Sequence, residues 1–192
     1  MNRDLSFTNP FKREVLRKAL HLPAFAFPAM ALYAPKFALV SLALLMAFYA
    51  FLMFGESRYP HKLSRVSQFV SFFKREEGVD PAPLYLALGL FLCLLFSTPK
   101  ATFFAAYVIA ICDSAAALVG MRLGRHKVFS LSKSWEGTLA FAILCFVGAC
   151  FFLSPLSALL TALILALVEL LGIKGSDNFL LPIISQFCLL LL

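Results

Sequence analysis

Apolar residues dominate the chain in long runs, and polar residues collect in the stretches between them. Crossing the hydrocarbon core of a bilayer takes about 20 predominantly apolar residues in a helix. Measured against that length, seven runs read as transmembrane helices: 19–35, 37–54, 82–98, 101–120, 138–153, 156–172 and 179–192. Several are short for a span, which predicts tilted helices or local thinning of the membrane. The connectors 34–36, 97–100 and 153–156 are tight and hold Pro35, Pro99 and Pro155, as suits turns between helices. The remaining connectors are longer and polar.

Composition sharpens this pattern. Hydrophobic residues make up 61% of the 192 residues and charged residues only 14%, with a mean hydropathy of +0.89. A soluble domain carries about 45–50% apolar and about 25% charged residues. No interior of a chain this size holds the surplus, so the expected fold is all-α, a single polytopic helical membrane domain over 1–192. A disordered chain and a disulfide-built secreted module are excluded by the same numbers. Cys93, Cys112, Cys145, Cys150 and Cys188 lie in apolar runs without a Cys-x-x-Cys pair, and read as small buried apolar residues. The first twelve residues are polar and the first apolar run has no small-residue cleavage site, so no cleavable signal peptide is expected.

Charge placement gives the orientation. Fifteen Lys and Arg fall in the N-terminal segment and in 55–81, 121–137 and 173–178, whereas only Lys36 and Lys100 fall on the other side. Short loops rich in Lys and Arg stay in the cytoplasm. The N-terminus is therefore expected inside and, after seven spans, the C-terminus outside. All ten acidic residues gather toward the same side, which the Lys/Arg rule does not explain. A face that collects both signs and every long loop reads as the working face. The net charge of +7 then points to anionic headgroups along the membrane surface and not to nucleic acid.

Two acids lie within apolar spans, Asp113 in YVIAICDSAAALVG and Glu169 in LILALVELLG. An acid at a helix centre costs about 2.5–3.5 kcal/mol on insertion scales, so each needs a partner or a function. A polar clasp between helices is the structural explanation; a metal or proton site lined by several helices is the functional one. Helical spacing puts Asp113, Ala116, Ala117, Gly120 and Gly124 along one stripe of small residues. Gly120 and Gly124 alone would be a helix-packing contact. Beside Arg122, Arg125, His126 and Lys127 at the membrane exit, they suit a polyphosphate and its cation. In the next stretch Ser132 or Ser134 caps the following helix, whose N-terminus attracts anions. Lys133 adds a charge suited to phosphate, or else snorkels from a helix end.

Glu14, Arg17, Lys18 and His21 follow at i, i+3, i+4 and i+7, on one face of a helix entering the membrane. A basic flank on anionic lipid explains Arg17 and Lys18 but not the aligned Glu14 and His21. Glu169 is followed by Gly172, Gly175, Asp177, Asn178 and Pro182. Asp177 and Asn178 offer oxygen ligands to a hard cation such as Mg²⁺, or Asp177 caps the last helix. The phosphate loops and nucleophile motifs of soluble enzymes are absent from the sequence, so phosphate chemistry here requires a site built by membrane helices.

The run from Asp113 through Gly120, Arg122, Gly124 and Arg125 to Lys127, followed by Lys133-Ser-Trp-Glu136-Gly137, resembles the signature of the CTP-dependent polyprenol and diacylglycerol kinases. That family includes dolichol kinase, phytol kinase and the fungal CTP-dependent diacylglycerol kinase. Upstream, Glu14-x-x-Arg17-Lys18-x-x-His21 is similar to its first-helix motif, and Glu56-x-Arg58 and Arg75-Glu76-Glu77-Gly78 are similar to its second-loop positions. Downstream, Glu169 and Asp177-Asn178-x-x-x-Pro182 resemble its closing motif. The resemblance covers essentially the whole chain, and the central block is its specific part. Cys112 stands where the family usually has Gly, and the resemblance is to a minimal catalytic unit without the extra N-terminal helices of the larger dolichol kinases.

The resemblance implies transfer of the γ-phosphate of CTP to a lipid hydroxyl, with Mg²⁺ or another divalent cation. It implies Asp113 as base or metal ligand, sharing the metal with Glu169 and Asp177. Lys133, Arg122, Arg125 and the capped helix would neutralise the triphosphate, with Gly120, Gly124, Ser134, Glu136 and Gly137 around the nucleotide. Arg17, Lys18 and His21 would complete the catalytic site. A cytidylyltransferase acting on a lipid phosphate shares distant motifs, but its longer Lys/Arg-Asp signature is not present. A cation- or proton-coupled transporter would use Asp113 and Glu169 near midplane, with charge on both faces. The acceptor is expected to be a polyprenol-type alcohol or diacylglycerol, each a hydroxyl on an apolar tail.

Overall fold

The computed structural model describes residues 10–19, 21–58, 81–128, 133–172 and 176–192, and among these every regular element is helical. Helix α1 (Pro10–Ala19) is polar. A 3₁₀ turn (Leu22–Phe25) and α2 (Ala26–Ala31) follow, then α3 (Pro35–Arg58), α4 (Ala82–Phe96) and α5 (Pro99–Leu123). Helices α6 (Trp135–Ala149), α7 (Pro155–Leu171) and α8 (Asp177–Leu191) close the chain. Two stretches, Pro35–Gly55 and Pro99–Leu123, are long and apolar enough to cross a membrane, and α4, α6, α7 and α8 are shorter apolar helices.

Each apolar run becomes helix, and the boundaries move for local chemical reasons. Pro99 and Pro155 open α5 and α7 rather than sitting in the turns before them. A first-turn proline lacks only an amide hydrogen that would have no partner in the helix. Thr98 caps the Ala101 amide at 3.3 Å, Ser134 the Gly137 amide at 3.2 Å, and Ser154 the Ser157 amide at 3.3 Å. Capping turns are polar, so an apolar run understates the start of its helix. The run 19–35 departs furthest from expectation. Pro23 sits in the first turn of the 3₁₀ stretch and Pro28 lies within α2. Between Ala19, which ends α1, and Pro35, which opens α3, the regular structure among the described residues is the 3₁₀ turn and α2. At 1.5 Å per residue that segment covers about half of a hydrocarbon core.

Helix α5 is the central element. Phe104, Val108, Ile109 and Cys112 from α5 are fully buried against Phe141 and Cys145 of α6, Leu165 of α7 and Leu181 of α8. Tyr107 packs over Gly148, where any larger residue would collide with its ring, and donates to the Leu144 carbonyl at 2.9 Å. A smaller cluster joins Ala24, Leu42, Ala87, Leu90 and Ala106, tying α3 and α4 to the other flank of α5. Helix α3 instead leaves Phe37, Phe48, Phe51 and Phe54 uncovered by protein. Cys93, Cys112, Cys145 and Cys188 are buried as expected, whereas Cys150, at the end of α6, is exposed.

Midway along α5 the backbone widens into a π-helical stretch over Val108–Asp113. Such insertions are rare and often mark functional sites, because they re-aim the side chains that follow. Asp113 is the last residue of this stretch.

Candidate active site

Asp113 and Glu169 are buried, as are Lys18, His21, Asp177 and Asn178. Burying so many ionisable groups is costly unless each finds a partner. Helix α1 supplies the first. It packs against the Ser114–Leu123 end of α5, where Lys18 ion-pairs with Asp113. Glu14 and Arg17 pair one turn apart on the same face. His21 Nδ1 lies 3.9 Å from Asp113 Oδ2. Of the face predicted from the 3–4 spacing, Lys18 of α1 and His21, two residues beyond its end, meet Asp113, while Glu14 and Arg17 pair with each other.

Lys133 is the second centre. Its ammonium donates to the backbone carbonyl of Glu169, lies 2.9 Å from Glu169 Oε1 and 3.4 Å from Asp177 Oδ2. A cation at this point also meets the negative end of α7, where backbone carbonyls lack helical partners. The other oxygen of Asp177 accepts from the Asn178 amide at 3.1 Å, and Thr138 lies 3.5 Å from Glu169 Oε2.

Between the two centres lies a cavity of about 510 Å³. Arg17, Lys18, Lys127 and Lys133 reach it as cations, and Glu14, Asp113, Glu169 and Asp177 as acids. Ala116, Ala117, Gly120, Ser134 and Gly137 line it with small side chains. The glycines are required by close approach: a Cβ on Gly137 would stand 2.6 Å from the Ala116 carbonyl oxygen, and one on Gly120 would stand 3.0 Å from Ser134 Oγ. These contacts bring the N-terminus of α6, capped by Ser134, against α5.

Other expected residues fall elsewhere. Arg122 and Arg125 are exposed and do not line the cavity. Gly124 ends α5 in a contact with Gly120 and Ser134 that leaves no room for a side chain. Glu136 accepts from the amides of Arg125 and His126 at 3.1 Å each and meets His126 Nδ1 at 2.7 Å. Its own backbone N–H, then His126, hold its carboxyl down at about 2 from an ordinary 4.5. It shapes the loop, along with the pairing of Val128 with Lys133 and of Trp135 with His126 across it. Lys127, read from the sequence at the membrane exit, lines the cavity, and so does Thr138, which the sequence did not single out. Ser132, Lys174, Gly175 and the Arg75–Gly78 segment lie outside the described residues.

The three acids expected to share a metal are not gathered as one. Asp113 faces Lys18, Glu169 and Asp177 face Lys133, and among the described residues no group of three or more His, Cys, Asp or Glu is placed to hold a metal ion. A three-carboxylate cage therefore does not fit this arrangement, and no chemical step is assigned to a metal.

Comparison with known proteins adds a direction. A segment of 128 residues, 64% of the chain, is 35% identical to an uncharacterized protein of Methanocaldococcus jannaschii, over 64% of that protein. Over 73 residues, 36% of the chain, it is 41% identical to a phytol kinase of Synechocystis, over 31% of that enzyme. The chain thus matches less than two thirds of the length of either relative. No family model matches the chain, and no solved structure matches it. The similarity to phytol kinase is partial and distant.

Proposed function

We propose that the chain is a membrane-embedded lipid kinase that transfers the γ-phosphate of CTP to the hydroxyl of a polyprenol-type alcohol or diacylglycerol. One observation carries this reading: a cavity in which Arg17, Lys18, Lys127 and Lys133 face buried carboxylates over a floor opened by Gly120 and Gly137. Phosphoryl transfer asks chiefly for positioning and for charge stabilisation on the moving phosphoryl group. The partial similarity to phytol kinase supports a kinase acting on a lipid alcohol. The uncovered aromatic face of α3 supports embedding in lipid, and the placement of Lys and Arg supports a cytoplasmic N-terminus and site.

In this reading the triphosphate lies against Lys127, Lys133 and the N-terminus of α6, with Arg17 on its γ end. The acceptor oxygen forms a bond to the γ-phosphorus while the bond from that phosphorus to the β–γ bridging oxygen breaks. The hydroxyl proton passes to Asp113, and CDP leaves. Lys18 holds the Asp113 carboxylate in place from α1. Lys133 is shared between the acids of α7 and α8 and the phosphates, so nucleotide binding draws α6, α7 and α8 to one point.

The test uses purified full chain in detergent with lipid alcohols and CTP labelled at either the γ- or the α-phosphate. Label reaching lipid only from the γ position is expected. Transfer from the α position, with a lipid phosphate added, would make the protein a cytidylyltransferase. Transfer from neither, beside a working control kinase, would overturn the reading.

A further inference from the structure

A second cavity, of about 160 Å³, adjoins the first and is different in kind. Its wall is Phe27, Leu42, Leu45, Leu86, Ala87 and Leu90, from α2, α3 and α4. Polar side chains meet it in three places: Arg17, His21 and Asn178. Arg17 lines both cavities, and His21 stands beside Asp113, which lines the polar one. The neighbours Asp177 and Asn178 divide between them, Asp177 to the polar cavity and Asn178 to the apolar one.

Asn178 is 2% exposed and His21 8% exposed. The Asn178 amide nitrogen donates to the Ala82 carbonyl at 3.3 Å, which fixes the side chain with its oxygen free. Gly89 lets α4 approach this point, since a Cβ there would stand 3.2 Å from the Phe179 carbonyl oxygen and 3.1 Å from the Pro182 ring. Among the described residues Asn178 Oδ1 and His21 Nδ1 have no hydrogen-bond partner. A buried polar atom left unpaired costs about 1–3 kcal/mol. Both residues line the greasy pocket while these two atoms lie just behind its wall, Nδ1 toward Asp113 Oδ2 at 3.9 Å, so a ligand with an apolar body and a polar end that donates hydrogen bonds would satisfy them once it displaces the wall.

We infer that this pocket receives the acceptor lipid: the apolar chain lies between α2, α3 and α4, and its hydroxyl donates to Asn178 Oδ1 or His21 Nδ1, next to Asp113. The inference rests on the lipid-kinase reading for what happens to the hydroxyl, but not for the binding itself. Asn178 is then a specificity residue for an alcohol, since a lipid ester or ether has no hydrogen to donate. The outer wall is apolar and unpatterned, so chain chemistry is read only by width.

The experiment labels the full chain in detergent with a long-chain prenyl alcohol bearing a diazirine on its tail, and with the O-methyl ether of the same probe. Mass spectrometry should place alcohol-dependent label on the Leu42, Leu86 and Leu90 wall. Asn178→Leu should lower labelling by the alcohol about tenfold, and raise its KM by a similar factor while leaving the KM for CTP unchanged. Ala87→Phe should block labelling by filling the pocket. Leu45→Trp at the exposed rim should do so too, and serves if the first variant fails to fold. Equal labelling by alcohol and ether would mean a structural lipid and overturn the inference. So would phosphoryl transfer that proceeds normally in both pocket-filling variants, leaving the kinase reading intact. Alcohol-specific label in the pocket of a protein that transfers no phosphate would overturn the kinase reading and leave the pocket standing.

Discussion

Among the described residues two lysines pair with the three buried acids, and they do so in opposite ways. Lys18 and Asp113 are sealed from bulk solvent, with side chains 4% and 6% exposed, and pair between α1 and α5 at the cavity wall. Lys133 is 21% exposed and divides itself among the Glu169 carboxylate, the Glu169 carbonyl and Asp177. A sealed pair cannot lose either member without stranding a charge in a medium that does not solvate it. A shared lysine at a cavity wall can turn toward an incoming anion while its acids keep Thr138 and the Asn178 amide as partners. The same chemistry thus serves to fix one centre and to leave the other adjustable.

Breaking the sealed pair should have the largest effect. Asp113→Ala leaves the Lys18 ammonium buried and unpaired, and should destabilise the protein by about 3–5 kcal/mol. Removing the base in this reading should also lower transfer by about 10²–10⁴. The double variant Lys18→Met/Asp113→Leu should regain most of the stability and none of the activity. Thermal unfolding in detergent separates the two quantities. If the double variant is as unstable as the single, the pair is not what costs the energy. Lys133→Met should be milder in stability, about 1.5–3 kcal/mol, because hydrogen bonds to charged groups of that strength are lost at a partly wetted site. Its decisive loss should be thermal stabilisation by CTP. Retained stabilisation would place the phosphates away from Lys133.

The sequence makes the parts of both centres visible but not their pairing. Helical spacing puts Glu14, Arg17, Lys18 and His21 on one face and aligns Asp113 with Ala116 and Gly120, because those relations are local. That Lys18 reaches Asp113, 95 positions away, depends on how α1 docks on α5, which no periodicity encodes. The π-helical stretch that ends at Asp113 was not legible either, since VIAICD reads as ordinary apolar helix. The family resemblance implies Glu136 around the nucleotide. The structure spends it on the Arg125 and His126 amides, a backbone demand the sequence does not display. Asn178 was read as an oxygen donor for a cation, and its placement away from the polar cavity follows from its hydrogen bond to α4.

The wall between the two centres is more sensitive to volume than to charge. Gly137→Ala puts a Cβ against the Ala116 backbone, which cannot yield as a side chain would, and should cost about 1–3 kcal/mol. Gly120→Ala meets only the Ser134 hydroxyl and should cost less. Equal losses for the two would mean that α5 and α6 separate as rigid bodies.

The smallest effect belongs to the Glu136 clasp, which holds the loop carrying Lys127 toward the adjustable centre. Its carboxyl titrates at about 2 when folded against an ordinary 4.5. A folded value below the unfolded one means that the clasp contributes fully above pH 4.5 and fades as pH falls toward 2. Hydrogen exchange at the Arg125 and His126 amides, corrected for its intrinsic pH dependence, should therefore lose protection across that window and not above it. Glu136→Gln keeps an acceptor but not the charge, so protection should be reduced and no longer change with pH there. Because the loop is exposed, this variant should leave global stability nearly unchanged and act only on the KM for CTP. A matching change in KM when Lys127 is replaced would place the clasp and the lysine on the same path to the nucleotide. An unchanged KM in Glu136→Gln would leave the positioning of Lys127 to the backbone pairing of Val128 with Lys133 and of Trp135 with His126.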